Sequence, residues 1–213
     1  MTPPEQSKIT RSPFDYQEAW RWLEQKGRQL LGPKFRLHEE DSLIINTLFC
    51  YFLKDQFTAA MLNINLNKGI LLLGPVGCGK TSLMRLMAYV CRPKERHVMK
   101  PCREVSYEFI NEGYEVIHRY SKGLASRYDT RVFCFDDLGT EKSLKYYGNE
   151  CNVMAEVLLS RYDQFVMRGL VTHLTTNLNA SEIEAAYGVR VRSRLREMFN
   201  LIGFEKGSAD KRK

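Results

Sequence analysis

The 213-residue chain has no two cysteines at C-x-x-C spacing: Cys50, Cys78, Cys91, Cys102, Cys134 and Cys151 are scattered, several of them inside apolar runs. That scatter excludes a zinc ribbon and a disulfide framework, and it is the usage expected of reduced, mostly buried thiols in a cytoplasmic protein. Histidine is scarce, and the four present (His38, His97, His118 and His173) form no cluster with metal-ligand spacing. No stretch of eighteen apolar residues occurs and no signal peptide opens the chain, so neither a membrane span nor secretion is expected. Negative charge is the minority: Asp+Glu 25 against Lys+Arg 32 leaves a formal net charge of +7. Such a balance suits a polyanionic partner such as nucleic acid, although many basic domains bind none. Hydrophobic residues make up 44%, enough for a real core, and the length fits one α/β domain with something added.

The strongest signal that is present is Gly74-Pro75-Val76-Gly77-Cys78-Gly79-Lys80-Thr81, followed by Ser82. It reads G-x-x-x-x-G-K-[ST], the phosphate-binding loop of nucleotide-hydrolysing proteins. Residues 68–73 before it are an apolar run of strand length, and residues 82–90 after it carry helical spacing. Glycines at these positions let successive backbone N–H groups point at one anion, and the helix N-terminus adds partial positive charge. Lys80 is placed to reach the β- and γ-phosphates of ATP, and the Thr81 hydroxyl to take a place on Mg²⁺. Some 55 residues on, residues 131–135 form an apolar strand ending in Asp136-Asp137-Leu138-Gly139, which resembles the Walker B element. Asp136 would hold Mg²⁺, and Asp137 would orient or deprotonate the attacking water. Read alone, Asp-Asp-Leu-Gly is equally a solvated turn. Aspartate at 137 reaches one methylene less far than the glutamate commonest there, so slow hydrolysis is expected, with Glu141 as a reserve acid or an exposed surface glutamate.

The remaining sequence alternates strands and helices. Residues 1–13 read as a mobile tail, 16–31 as an amphipathic helix ended by Gly32-Pro33, and 39–56 as a second helix, either packed or offered to a partner protein. Residues 103–106 read as a second strand, followed by helix through Tyr120, a loop over 121–129 and another over 142–148. A long helix is expected over 149–168, a strand over 170–176 with His173 packed inside it, and a last strand over 199–204. Asn177 closes the strand that precedes it, either as a polar group facing the γ-phosphate or as a turn residue. Arg190, Arg192, Arg194 and Arg196 then fall at every second position, so Arg190 and Arg194 share one helical face. They are either cations for another subunit's phosphates or partners for Glu182, Glu184 and Glu197. Five strands at 69–73, 103–106, 131–135, 170–176 and 199–204 predict an α/β fold, a five-stranded parallel sheet flanked by helices, with nucleotide at the carboxyl ends of the strands.

Gly-Pro-Val-Gly-Cys-Gly-Lys-Thr, Phe-Asp-Asp-Leu-Gly-Thr-Glu, Thr-Thr-Asn-Leu and Tyr-Gly-Val-Arg-Val-Arg-Ser-Arg-Leu, in that order, resemble the AAA+ ATPases of the DnaC/IstB group over roughly residues 60–205. That group contains replicative-helicase loaders and ATPase subunits of insertion elements. The resemblance implies an ATP–Mg²⁺ site, self-assembly into a homo-oligomer on DNA, single-stranded DNA above all, and a replicative helicase or transposase as partner. It implies a sensor role for Asn177 and an arginine finger supplied in trans, with Arg194 in Ser-Arg-Leu the better match and Arg190 the second; Arg161 also falls at a recurrent position. The chain stops about nine residues after the last strand, so a helical lid is not expected, in agreement with this group. The expected regions are a tail with helices over 1–60, open to a partner, an AAA+ core over 61–205 and a basic polar tail over 206–213.

Overall fold

The computed structural model describes residues 12–122, 131–141, 144–146, 149–205, 207–208 and 210–211. The chain divides into two compact units, Met1–Leu66 and Asn67–Lys213.

The first unit is helical. Helix α1 (Tyr16–Leu31) is started by the Asp15 carboxylate, which accepts from the N–H groups of Gln17 and Glu18, and is stopped by Gly32. Helices α2 (Ser42–Phe52) and α3 (Gln56–Met61) follow. The long second helix expected over 39–56 is thus shortened. Residues 39–41 form a 3₁₀ turn, and Lys54 takes a left-handed φ of 59° that ends the helical run. Leu48, Phe49 and Cys50 on α2 are fully buried, which is why its apolar residues cover more than one face. Asp55 ties this unit together: its carboxylate accepts from Ser12 Oγ at 2.5 Å, Tyr16 Oη at 2.9 Å and Thr58 Oγ1 at 2.7 Å.

The second unit is a five-stranded sheet in the order β2-β3-β6-β1-β7. The strands are β1 (Gly69–Leu73), β2 (Val98–Pro101), β3 (Phe133–Leu138), β6 (Thr172–Thr176) and β7 (Phe199–Gly203), and every pairing among them is parallel. Alternation along the strands splits the apolar residues between two faces. Leu71, Phe135 and Leu174 face a core shared with Phe109 of α5 (Cys102–Glu112), Val116 of α6 (Tyr114–Lys122), Val157 of α7 (Val153–Arg168) and Leu195 of α8 (Ala180–Met198). On the other face the His173 Nδ1 accepts from Ile70 N at 3.0 Å, and its ring lies 5.0 Å from that of His97. His97 in turn is bound to the Met84 carbonyl of α4 (Lys80–Met87) at 2.8 Å, so α4 covers this face. His173 is the packed core histidine the strand pattern predicts.

The predicted second strand is the main correction. Residues 103–106 lie in helix α5, where Cys102, Val105, Ser106 and Phe109 are buried at the three- and four-residue spacing of a helix. The strand is Val98–Pro101, which pairs with 133–136 of β3. The third strand also runs longer than expected, to Leu138. Two short antiparallel strands, β4 (Leu144–Tyr146) and β5 (Asn149–Cys151), stand where a loop and the start of a helix are expected, and α7 begins only after the Asn152 cap. The tail over 1–11, most of the loop over 121–129, and residues 142, 143, 147 and 148 lie outside the described residues.

Arg161 is only 2% exposed, yet it is an arginine. Its Nε donates to Thr172 Oγ1 at 2.5 Å, and its terminal nitrogens donate to the carbonyls of Tyr120, Val171 and Arg131. The guanidinium lies 5.4 Å from the centre of the Phe133 ring. Burial pushes its pKa down to about 10. This residue fastens α6, α7, the approach to β3 and β6 to one another; its role is structural.

Candidate functional site

The turn between β1 and α4 carries Gly74 to Gly79, and Lys80, Thr81 and Ser82 open the helix. Gly77 and Gly79 have φ of 85° and 100°, a region that residues with a Cβ enter only at a cost of about 1–2 kcal/mol each. Those two angles curl the loop. Val76 projects outward and is exposed, while Cys78 is buried beneath the turn. Lys80 is 5% exposed, and its ammonium donates to the carbonyls of Gly74 and Pro75, both at 2.9 Å. The Cys78 sulfur stands 3.9 Å from the same nitrogen.

Strand β3 brings the acidic pair to the loop. Thr81 Oγ1 lies 3.0 Å from each carboxylate oxygen of Asp136, across 55 residues of sequence. Asp136 is 6% exposed. Burial raises its pKa above the usual carboxylate range and the Asp137 charge adds to that, while hydrogen bonds from Thr175 and Thr81 oppose it. A buried carboxylate beside a second negative charge is an environment that a cation relieves. Among the described residues no group of three or more His, Cys, Asp or Glu is gathered. The Asp136 carboxylate and the Thr81 hydroxyl are the donors that would serve a cation there. That donor set fits Mg²⁺, which keeps several waters and is completed by substrate phosphates, better than a metal held in an all-protein cage.

A residue that the sequence does not single out organises the acidic pair. Thr175 of β6 donates to Asp136 Oδ1 at 2.6 Å and accepts from the Asp137 N–H at 2.9 Å. The register explains the contact. Phe135 pairs with Leu174 and Leu138 with Thr176, so β3 carries one extra residue against β6 at the aspartates. Asp137 takes up that bulge with a φ of 55°. Aspartate tolerates the left-handed region better than most residues, which gives a backbone reason for aspartate at 137. The turn continues through Thr140, whose Oγ1 donates to the Asp137 carbonyl at 2.7 Å. Glu141 is half-buried and engaged within its own turn and with α8. It accepts from Gly139 N at 3.0 Å and from the Tyr187 hydroxyl on α8.

Asn177 follows β6 directly and is exposed, at the same end of the sheet as Asp136 and Asp137. Helix α8 is broken at Gly188, which has φ 85° and ψ 161°, so Arg190, Arg192, Arg194 and Arg196 ride on its second part. Arg190 and Arg196 are exposed. Arg192 pairs with Glu184. Arg194 donates to Glu197 Oε1 at 3.1 Å and to Tyr162 Oη at 3.0 Å, with its guanidinium stacked 4.2 Å above the Tyr162 ring. The helix thus satisfies two of the four arginines through acids and leaves two outward.

No protein-family model matches the chain, and no curated protein matches it. Solved structures do. A crystal structure of the DnaC helicase loader is 17% identical, with a TM-score of 0.52 over 81% of this chain and 94% of that one. DnaA from Aquifex aeolicus bound to AMPPCP is 16% identical, with a TM-score of 0.53 over 80% of this chain and 48% of that one. The replication initiator DnaA bound to AMPPCP and single-stranded DNA is 14% identical, with a TM-score of 0.51 over 81% and 49%. The chain shares with these structures an α/β fold, here a five-stranded parallel sheet flanked by helices, as the sequence pattern predicts.

Proposed function

We propose that the chain is an ATP-binding, Mg²⁺-dependent AAA+ ATPase that acts on DNA in the manner of a helicase loader and assembles into a homo-oligomer to do so. One observation carries the reading: the Thr81 hydroxyl and the Asp136 carboxylate meet at 3.0 Å beside a glycine-rich turn that opens α4. In this reading backbone N–H groups of the turn hold the phosphates, and Lys80 swings from the Gly74 and Pro75 carbonyls to the β- and γ-phosphates. Thr81 and Asp136 hold Mg²⁺, which when bound supplies neutralisation of charge on the phosphate oxygens. Asp137 takes a proton from, or orients, the attacking water, and Asn177 faces the γ-phosphate. Arg194, with Arg190 second, comes from a neighbouring copy. Its stacking on Tyr162 and its bond to Glu197 fix the guanidinium at the surface, where little ordering remains to be done on assembly.

The DNA reading draws on the formal charge of +7 and on the likeness to a helicase loader and to an initiator bound to single-stranded DNA. A replicative helicase is the partner that likeness suggests, with Met1–Leu66 as the unit that would hold it. No helix among the described residues is long and apolar enough to cross a membrane, in keeping with a cytoplasmic role. The test is the ATPase rate against protein concentration, with and without single-stranded DNA. A rate that rises more than proportionally with concentration, and again with DNA, supports the reading. A rate independent of both, with no DNA binding at low salt, contradicts it.

The geometry of Asp137 favours a second reading, an ATP-gated adaptor with little turnover. A short acid in a bulge with its N–H bound to Thr175 reaches less far than a glutamate on a regular strand. Stoichiometric ATP binding without phosphate release from the assembled protein would select it.

A further inference from the structure

Among the described residues beyond β7, Phe204, Asp210 and Lys211 lie against the phosphate loop. Phe204 N donates to the Leu73 carbonyl at 2.8 Å, which carries the segment alongside the end of β1. The Phe204 side chain then abuts Gly74: a methyl group there would stand 2.8 Å from its Cβ. Farther on, the Lys211 N–H donates to the Gly77 carbonyl at 3.1 Å. A methyl group on Gly77 would overlap the Asp210 carboxylate, whose Oδ2 would be 2.7 Å away. The Lys211 stem passes Gly79, and its ammonium comes back to 5.2 Å from the centre of the Phe204 ring. Three of the loop's glycines are therefore approached by this one segment. Glycine at 77 serves that approach as well as the loop's own curl.

The charge set against the loop matters most. A turn that presents N–H groups and a helix N-terminus favours an anion beside it, and Asp210 places one there. A triphosphate entering the loop brings several negative charges to within a few ångströms of that carboxylate. In a partly solvated site, one like charge at such a distance weakens binding by about tenfold or more. Asp210 and a nucleotide thus favour the same turn and disfavour each other.

We propose that the segment carrying Asp210 and Lys211 is an autoinhibitory strap that competes with ATP for the phosphate loop, so that strap and nucleotide hold Gly77 in turn. The inference rests on the ATP-binding reading above and adds its regulation. ATP binding then requires release of the strap, and release frees Asp210 and Lys211 for other contacts.

Titration of the full chain with a fluorescent ATP analogue tests it, with wild type, Asp210→Asn, Lys211→Pro and Lys80→Ala compared at low salt. Asp210→Asn removes the charge and keeps the shape; Lys211→Pro removes the N–H that Gly77 accepts. Asp210→Asn decides: it should bind the analogue about tenfold tighter than wild type. That gain should shrink in 1 M salt, where the screening length is about 3 Å, while the smaller gain of Lys211→Pro persists. Unchanged or weaker binding by Asp210→Asn, with wild type binding and Lys80→Ala not, overturns the strap and leaves the ATP reading standing. Binding by Asp210→Asn and not by wild type supports the strap outright. Absence of binding in all four proteins overturns the ATP reading and the strap with it.

Discussion

Thr81, Asp136, Thr175 and the Asp137 N–H are joined by hydrogen bonds of 2.6 to 3.0 Å within one unit, whereas Arg190 and Arg194 stand on the surface of a helix broken at Gly188. The two ends of the candidate site are thus built by different means. The phosphate end is assembled by sheet register: β3 and β6 are neighbours, and one bulge sets both aspartates against one threonine. The arginine end is assembled by helix phase: Arg194 is held by Glu197 and Tyr162 of the same chain, and Arg190 is exposed. The difference teaches that the contacts of the first group depend on strand register, while those of the second are made on the helix surface.

Four predictions press on that difference. The largest effect is expected from Arg194→Ala, which should lower DNA-stimulated turnover by about a thousandfold, the scale of arginine fingers, with ATP affinity unchanged. A parallel loss of ATP affinity would place this arginine at its own chain's nucleotide instead. Arg190→Ala, measured beside it, ranks the two. Arg161→Ala should behave in the opposite way. Removing a buried guanidinium that donates to three carbonyls and Thr172 should destabilise folding by about 4 kcal/mol, read by urea denaturation.

His97 tests the sheet beneath both ends. Burial lowers its pKa to about 4 from 6.5, against a smaller opposing effect of the Met84 carbonyl. The unfolded chain therefore takes up a proton that the folded chain refuses. The stability from this group is whole above about pH 6.5 and is lost as pH falls through about 4, by about 3 kcal/mol. Urea denaturation at pH 7 and pH 5 should show the decline, and His97→Gln should flatten it. The smallest effect is expected at Thr175→Val. Loss of the hydroxyl that spans Asp136 and Asp137 should cut turnover by about tenfold and leave ATP affinity within about twofold, as measured by phosphate release.

The phosphate end was the more legible of the two in the sequence. Glycine spacing, Lys80 and Thr81 belong to one local turn, and Asp136 closes an apolar run, so composition and order locate them without tertiary knowledge. Thr175 was not legible, because a threonine in an apolar strand says nothing of which side chain lies across the sheet. The bulge at Asp137 was hidden for the same reason: register is a property of two strands. The second strand was misplaced because Val98–Pro101 is short, half polar and ends in proline, while the five residues from Arg103 are too few to separate helical from alternating spacing. The strap was hidden because Asp210 and Lys211 read as part of a polar tail, and their place on the loop follows from where β7 ends.

The central claim is that one catalytic site draws on two copies of the chain, and mixing two inactive variants tests it most directly. Lys80→Ala lacks a working phosphate end but keeps Arg194; Arg194→Ala keeps the phosphate end and lacks the arginine. If the site is shared, an equimolar mixture with DNA should recover turnover well above either variant alone. Turnover no greater than the sum of the two separate variants would contradict the account.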